Sequence, residues 1–144
     1  MTAPARAPLR NYASLPTPER IGDVVPWHGA VRALWDAFRT RTDGDLGYSW
    51  VGFYHGPGTS NGDATARHDE MLLGAREPGP ACSPISLLGA CGRCYQSGQP
   101  LVVHDVAALG DGYIACNPRD RSEVVVPYFD DAGRVGGVLD VDGF

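Results

Sequence analysis

The clearest pattern along the chain is a helical spacing of large apolar residues in its first third. Four of them recur at i, i+3, i+4 and i+7 and share one face of a helix: Val31, Leu34, Trp35 and Phe38. We predict a helix over residues 24–41, which Gly44 can end. Residues 1–22 are rich in Pro, Ala and Arg and carry little periodicity, which predicts a poorly ordered N-terminal tail.

Five later runs have the length and the β-branched or aromatic content of strands. They lie at residues 48–54, 71–75, 101–103, 124–129 and 135–141. The polar sequence D-D-A-G at 130–133 predicts a hairpin between the last two runs, and residues 89–97 predict a short helix that Gly98 stops. The polar, Gly-rich residues 56–70 predict a mobile loop or an extended hairpin tip. This order of elements predicts an α+β fold with a mainly antiparallel sheet.

Composition and charge narrow the class of protein. The chain has 144 residues, enough for one domain, and 12 Lys+Arg against 17 Asp+Glu give a net charge of −5. This acidic balance does not favour nucleic-acid binding, and no apolar run reaches the ~20 residues of a membrane span. The N-terminus lacks a secretory signal, so we expect a cytoplasmic protein with reduced thiols. No nucleotide-binding motif is present, and we expect no cofactor and no metal.

Four cysteines lie in the second half of the chain: Cys82, Cys91, Cys94 and Cys116. Cys91 and Cys94 form a C-x-x-C near the predicted start of the short helix, where the helix dipole and Arg93 should lower a thiol pKa. A zinc ribbon would need two such pairs, and a thioredoxin-like motif would need a βαβ context that is lacking. Some of the cysteines could also simply be buried small apolar residues.

Cys116 has the sequence context of a reactive thiol. It lies in a segment rich in Gly, Asn-Pro and Asp, which predicts a loop, and two arginines follow it within five residues. A loop thiol near guanidinium groups tends to ionise and to stay accessible. With other cysteines available to resolve it, Cys116 is a candidate nucleophile of a thiol redox enzyme.

Three carboxylates are expected to meet on the last hairpin. Asp140 and Asp142 lie two positions apart on an apolar strand and therefore share a face. Glu123 opens the preceding strand, so antiparallel pairing should bring it beside them. Such a cluster can raise the pKa of one carboxyl enough to make it a proton donor, or it can bind an ammonium group. The alternative is that the strand ends there and both aspartates are solvated.

Five motifs in order resemble the free methionine-(R)-sulfoxide reductases, which are GAF-domain enzymes. They are W-V-G-F-Y at 50–54, P-A-C at 80–82, G-A-C-G at 89–92, I-A-C at 114–116 followed by S-E at 122–123, and G-V-L-D-V-D at 137–142. The resemblance covers roughly residues 25–142. It implies a six-stranded antiparallel sheet flanked by helices and, usually, a homodimer.

The same resemblance assigns the thiol chemistry. It implies that Cys116 is the catalytic cysteine and that Cys82 and Cys91 act in resolving and recycling it. Attack on free methionine sulfoxide would leave a sulfenic acid on Cys116, a second cysteine would convert this to a disulfide, and thioredoxin would reduce the disulfide. Cys94 is an additional thiol relative to the family, either a substitute resolving cysteine or inert.

The resemblance also assigns the substrate pocket. Glu123, Asp140 and Asp142 match the carboxylates that hold the amino group and the sulfoxide oxygen, and Trp50 and Tyr54 match the aromatics around the methyl and sulfur end. Burial of these groups in a closed pocket would reject peptide-bound methionine.

The chain departs from the family in several places, and two of them bear most on its function. Residues 87–92 read L-L-G-A-C-G, where the family typically has an arginine, and the chain ends at Phe144, where family members usually continue into a helix. We therefore expect a GAF-like domain over residues 23–144 without that helix. The alternative function is a catalytically silent GAF domain that binds a small amino-acid-like ligand. A third alternative is a structural or interaction domain stabilised by zinc on the four cysteines. Thiol-dependent turnover distinguishes the first two functions, and a metal assay tests the third.

Overall fold

The computed structural model describes residues 27–39, 47–58, 67–112 and 117–144. Within these ranges the chain forms the following elements: α1 (Trp27–Arg39), β1 (Tyr48–His55), β2 (Glu70–Glu77), β3 (Ile85–Ser86), α2 (Ala90–Ser97), β4 (Leu101–Val103), a 3₁₀ helix (Val106–Gly112), β5 (Ser122–Phe129) and β6 (Val135–Gly143). No helix in this part is long and apolar enough to cross a membrane. The predicted tail over 1–22 and most of the predicted loop over 56–70 lie outside the described residues.

The strands form one six-stranded sheet in the order β3-β2-β1-β6-β5-β4, and each neighbouring pair is antiparallel. The predicted α+β class and the six antiparallel strands are therefore confirmed. The five predicted runs are the five longer strands, each present within a few residues of its expected bounds. The apolar pattern did not predict β3, because two residues are too short to show alternation.

Side chains alternate along β1 and divide the interior into two layers. Trp50 and Tyr54 point to one side of the sheet, whereas Val51 and Phe53 point to the other. The first layer packs against α2 and the second against α1. Strand β1 lies between β2 and β6, so both of its edges are hydrogen-bonded to other strands.

Helix α1 covers the second layer, as its apolar stripe predicted. Val31 and Leu34 are buried, Trp35 is half-buried, and the side chain of Phe38 lies outside the described residues. The Trp27 ring contacts Phe53 edge-on, with 4.6 Å between centroids. These contacts hold α1 against the centre of the sheet.

Helix α2 covers the first layer and has the predicted stop. Gly98 adopts a left-handed conformation with φ 66°, and its N–H donates to the Cys94 carbonyl. Gly92 allows the closest approach: a Cβ there would lie 2.0 Å from the Leu87 carbonyl oxygen, which belongs to the backbone. Only glycine therefore fits at this position.

The D-D-A-G turn sets the register of the last hairpin. The Asp130 N–H donates to the Arg134 carbonyl at 2.8 Å, and the Gly133 N–H donates to the Asp130 carbonyl at 2.9 Å. The predicted hairpin is confirmed. Its register pairs Glu123 with Asp142, near the end of the hairpin that lies away from the turn.

We expect Gly92→Ala to destabilise the fold strongly, because the added methyl meets fixed backbone at Leu87 and must push α2 away. The expected loss is about 3 kcal/mol in the free energy of unfolding, measured by urea denaturation. Gly79→Ala is the matched control, since a Cβ there has no atom within 4 Å. Equal stability of the two variants would contradict the close packing of α2.

Candidate active site

A pocket opens on the α2 side of the sheet, where β1, β5 and β6 run side by side. It contains about 500 Å³ of empty space, part of it open to solvent. Its wall consists of aromatic, small and acidic residues: Trp50, Tyr54, Ala81, Ile85, Ser86, Gly89, Ala90, Cys91, Asp120, Glu123, Asp140 and Asp142. No lysine, arginine or histidine is among these lining residues of the described chain. Six of the nine residues singled out from the sequence therefore meet here.

The three predicted carboxylates come together because of the hairpin register. Glu123 lies opposite Asp142, and Asp140 lies opposite Val125, two residues further along β5. Glu123 and Asp140 are each only 5% exposed, whereas Asp142 is partly buried. The proposed alternative of a solvated strand end is therefore wrong, and the acidic groups face the pocket.

Burial makes these carboxyls hard to ionise. It raises the pKa of Asp140 and of Asp142 well above the usual range, and neighbouring carboxyls raise both pKa values further. Burial, with repulsion from Asp120, raises the pKa of Glu123 to about 7. The carboxyl cluster therefore retains protons near neutral pH, and a positively charged ligand would stabilise its ionised form.

Asp140 has one carboxylate oxygen in use and one without a partner. Its Oδ2 accepts a hydrogen bond from the Cys91 thiol at 3.4 Å. Its Oδ1 is buried and has no hydrogen-bond partner. An unsatisfied buried carboxylate oxygen is costly, so it marks where a ligand's donor group would be stabilised.

The structure corrects the expected thiol acidity. The pKa of Cys91 is raised well above its ordinary value by burial, and repulsion from Asp140 raises it further. Burial likewise raises the pKa of Cys94 to about 12. The prediction of a lowered pKa at the helix start was wrong, because the thiols face buried carboxyls rather than Arg93, which is exposed.

The other two cysteines differ in position. Cys82 is exposed, and its backbone carbonyl accepts a hydrogen bond from the Tyr54 hydroxyl at 2.8 Å. Cys116 lies outside the described residues. Of the three described cysteines, only Cys91 belongs to a group of potential metal ligands within reach of one another, so a cysteine cluster for zinc is absent from the described part.

Trp50 and Tyr54 form an anchored aromatic wall. The Trp50 indole N–H donates to the Gly79 carbonyl at 3.0 Å, and the two ring centroids lie 6.0 Å apart. Both polar ends are hydrogen-bonded to the segment that leads to β3, so the ring faces remain for packing against a ligand. The aromatic pair predicted from the sequence is therefore a wall of this pocket.

Asp120 is a pocket residue that we did not predict. It is 5% exposed and accepts hydrogen bonds from the Ser49 hydroxyl at 2.6 Å and the Asn117 side-chain amide at 3.2 Å. In the sequence, the signal for this role was its position three residues before Glu123 and after an Asn-Pro pair. It adds a fourth acidic group beside the cluster.

The model of the GAF domain family matches residues 33–143. The chain belongs to the GAF domain family. The curated relatives include "Protein YtsP" of Bacillus subtilis, 36% identical over 95 residues that cover 65% of this chain and 52% of that protein. They also include a free methionine-R-sulfoxide reductase of Saccharomyces cerevisiae, 28% identical over 76% of this chain and 55% of that protein.

Solved structures that resemble this GAF domain also include a free methionine-R-sulfoxide reductase. Free methionine-R-sulfoxide reductase from Neisseria meningitidis, solved in complex with its substrate, matches with a TM-score of 0.62 and 38% identity. The match covers 81% of this chain and 59% of that chain. The GAF domain described here thus spans about half the length of the curated relatives it matches.

We expect Glu123→Gln to flatten the pH dependence of stability. A carboxyl whose pKa is raised by folding stabilises the protein only while protonated, so stability should fall as pH rises from 4.5 to about 7. The variant should gain about 1–3 kcal/mol over wild type above that range and little below it. Thermal unfolding across this pH range measures the difference.

Asp131→Asn is the control for this measurement, because Asp131 lies exposed in the hairpin turn. It should follow the wild-type pH profile. A Glu123→Gln profile parallel to that of wild type would show that the carboxyl does not titrate as its burial requires.

Proposed function

We propose that this GAF domain reduces free methionine-(R)-sulfoxide to methionine. The observation that carries the proposal is the buried, unpartnered Oδ1 of Asp140, which lies in a pocket with an acidic side and an aromatic wall. Free methionine sulfoxide has a matching ammonium group at one end and an apolar methylthio end. The similarity to free methionine-R-sulfoxide reductases over most of this chain supports the same substrate.

In this proposal the carboxylates select a free amino acid. A substrate ammonium would bind Asp140 Oδ1 and offset the repulsion that Glu123 and Asp142 exert on it. A methionine sulfoxide inside a peptide offers a neutral amide in place of this cation. Trp50 and Tyr54 would pack against the methyl and sulfur end, which is apolar.

The proposed chemical step is oxygen transfer to Cys116. The thiolate attacks the sulfoxide sulfur and forms a sulfur–sulfur bond. The oxygen then transfers to the Cys116 sulfur as the sulfur–sulfur bond and the original sulfur–oxygen bond break, so methionine leaves and Cys116 carries a sulfenic acid. The departing oxygen needs a proton. Glu123, with its pKa raised to about 7, would be partly protonated at neutral pH and is the proposed donor.

Recycling would use a second thiol. Cys91 lines the pocket, and Asp140 Oδ2 can accept its proton as it condenses with the sulfenic acid to give a disulfide and water. Cys82 is exposed and suits exchange with an external dithiol. Thioredoxin as that dithiol, and a homodimeric assembly, remain predictions from the family resemblance.

We expect turnover of free L-methionine-(R)-sulfoxide with thioredoxin, thioredoxin reductase and NADPH, and little with the S epimer. Cys116→Ser should abolish the turnover, because serine cannot form the sulfenic acid, and it should leave the fold intact. NADPH consumption measures the rate. Absence of turnover by reduced, folded wild-type protein that still binds methionine sulfoxide would favour the silent ligand-binding GAF domain.

We also expect Asp140→Asn to weaken selection for the free amino group. The KM for the free sulfoxide should rise about 10–100-fold, because a buried charge-assisted hydrogen bond is lost. The rate on N-acetylmethionine sulfoxide, which has no ammonium, should fall far less. The ratio of kcat/KM for these two substrates is the readout, since a general folding defect leaves it unchanged.

Asp131→Asn serves as the control for this ratio, because Asp131 is exposed in the hairpin turn and does not line the pocket. It should keep the wild-type ratio. An Asp140→Asn variant that kept the ratio as well would remove Asp140 from amino-group recognition.

A further inference from the structure

We propose that Cys91, Glu123 and Asp140 form a site for a thiophilic divalent cation such as Zn²⁺, and that this cation competes with a ligand ammonium. The sulfur of Cys91 and one carboxylate oxygen from each acid all lie within 4.8 Å of one another. The site is distinct from the four-cysteine zinc alternative considered from the sequence, because it uses one thiol and two carboxylates. Its proposed effect is to block the pocket.

The separation of the ligand atoms suits a small tetrahedral ion. Bonds of roughly 2.0–2.3 Å to thiolate and carboxylate place the ligand atoms about 3.3–3.8 Å apart. From separations of up to 4.8 Å, the ligand atoms need to approach one another by at most about 1–1.5 Å to reach that geometry. Cys91 and both acids line the pocket, so a fourth position is open to water or to a ligand.

The electrostatic surroundings favour a cation over an empty cluster. Asp140 is only 5% exposed, and its buried Oδ1 has no hydrogen-bond partner. An oxygen in this position is available to bind a metal ion. Asp120 and Asp142 place two more acidic groups beside it, and no basic side chain lines the described pocket. A divalent ion would offset this repulsion and would stabilise the thiolate of Cys91.

The thiol directs the choice of metal. Mg²⁺ and Ca²⁺ prefer oxygen ligands only, whereas Zn²⁺ binds thiolate, carboxylate and water together. Binding would release protons from Cys91 and the acids, would occupy Asp140 and would remove Cys91 from disulfide formation. The metal site does not depend on the proposed reductase activity, whereas its competition with substrate does rest on that function.

Cobalt(II) is the probe that tests the site, because a cysteine-bound cobalt ion gives a thiolate-to-metal charge-transfer band. We expect the reduced 144-residue chain to bind one Co²⁺ with this band and to release it to Zn²⁺. Cys91→Ser should lose the band, and Glu123→Gln should weaken Co²⁺ binding at least about tenfold. Cys82→Ser is the control and should keep wild-type binding, since Cys82 is exposed and outside the cluster.

Two outcomes would overturn the site: no cobalt band in reduced, folded wild-type protein, or a band that survives Cys91→Ser. Circular dichroism of each variant shows that it is folded. Free methionine is the competitor, and it should raise the apparent Kd for Co²⁺. Binding unaffected by saturating methionine would overturn the competition, and reductase turnover assayed with a chelator tests the proposed function separately.

Discussion

The register of the β5–β6 hairpin is the constraint on which the site depends. It pairs Glu123 with Asp142 and sets Asp140 two residues further along the same face. A shift of one residue would turn both aspartates to the α1 side, where the core is apolar. The turn hydrogen bonds of Asp130 therefore determine, at a distance, whether the pocket has an acidic side at all.

Helix α2 forms the wall of the pocket that faces the sheet. It can approach the sheet because it packs closely against the loop before it, at a position where no side chain would fit. Gly92 packs directly against the Leu87 backbone, and this close contact places Ala90 and Cys91 over the sheet. The resulting burial is costly for the carboxyls, whose pKa values rise. That cost is the physical basis of the proposed binding of a cation, whether an ammonium or a metal ion.

The same burial separates the roles that the described cysteines can take. Cys91 shares a hydrogen bond with Asp140 inside the pocket, and its thiol resists ionisation. Cys94 is more deeply buried, at 1% exposure, in the apolar layer beneath α2. Cys82 alone among the described thiols is exposed, so contact with a partner protein is open to it. A C-x-x-C spacing on its own does not distinguish these environments.

The sequence by itself determined the elements whose signals are local. The stripe of α1, the D-D-A-G turn, the Gly98 stop and the shared face of Asp140 and Asp142 follow from spacing and turn chemistry, and the structure has all four. The family motifs likewise identified six of the twelve residues that line the pocket. Only the tertiary structure revealed β3, placed Asp120 beside Glu123 and reversed the expected pKa shift of Cys91. These depend on which distant groups become neighbours and how far water is excluded, and neither is encoded in local periodicity.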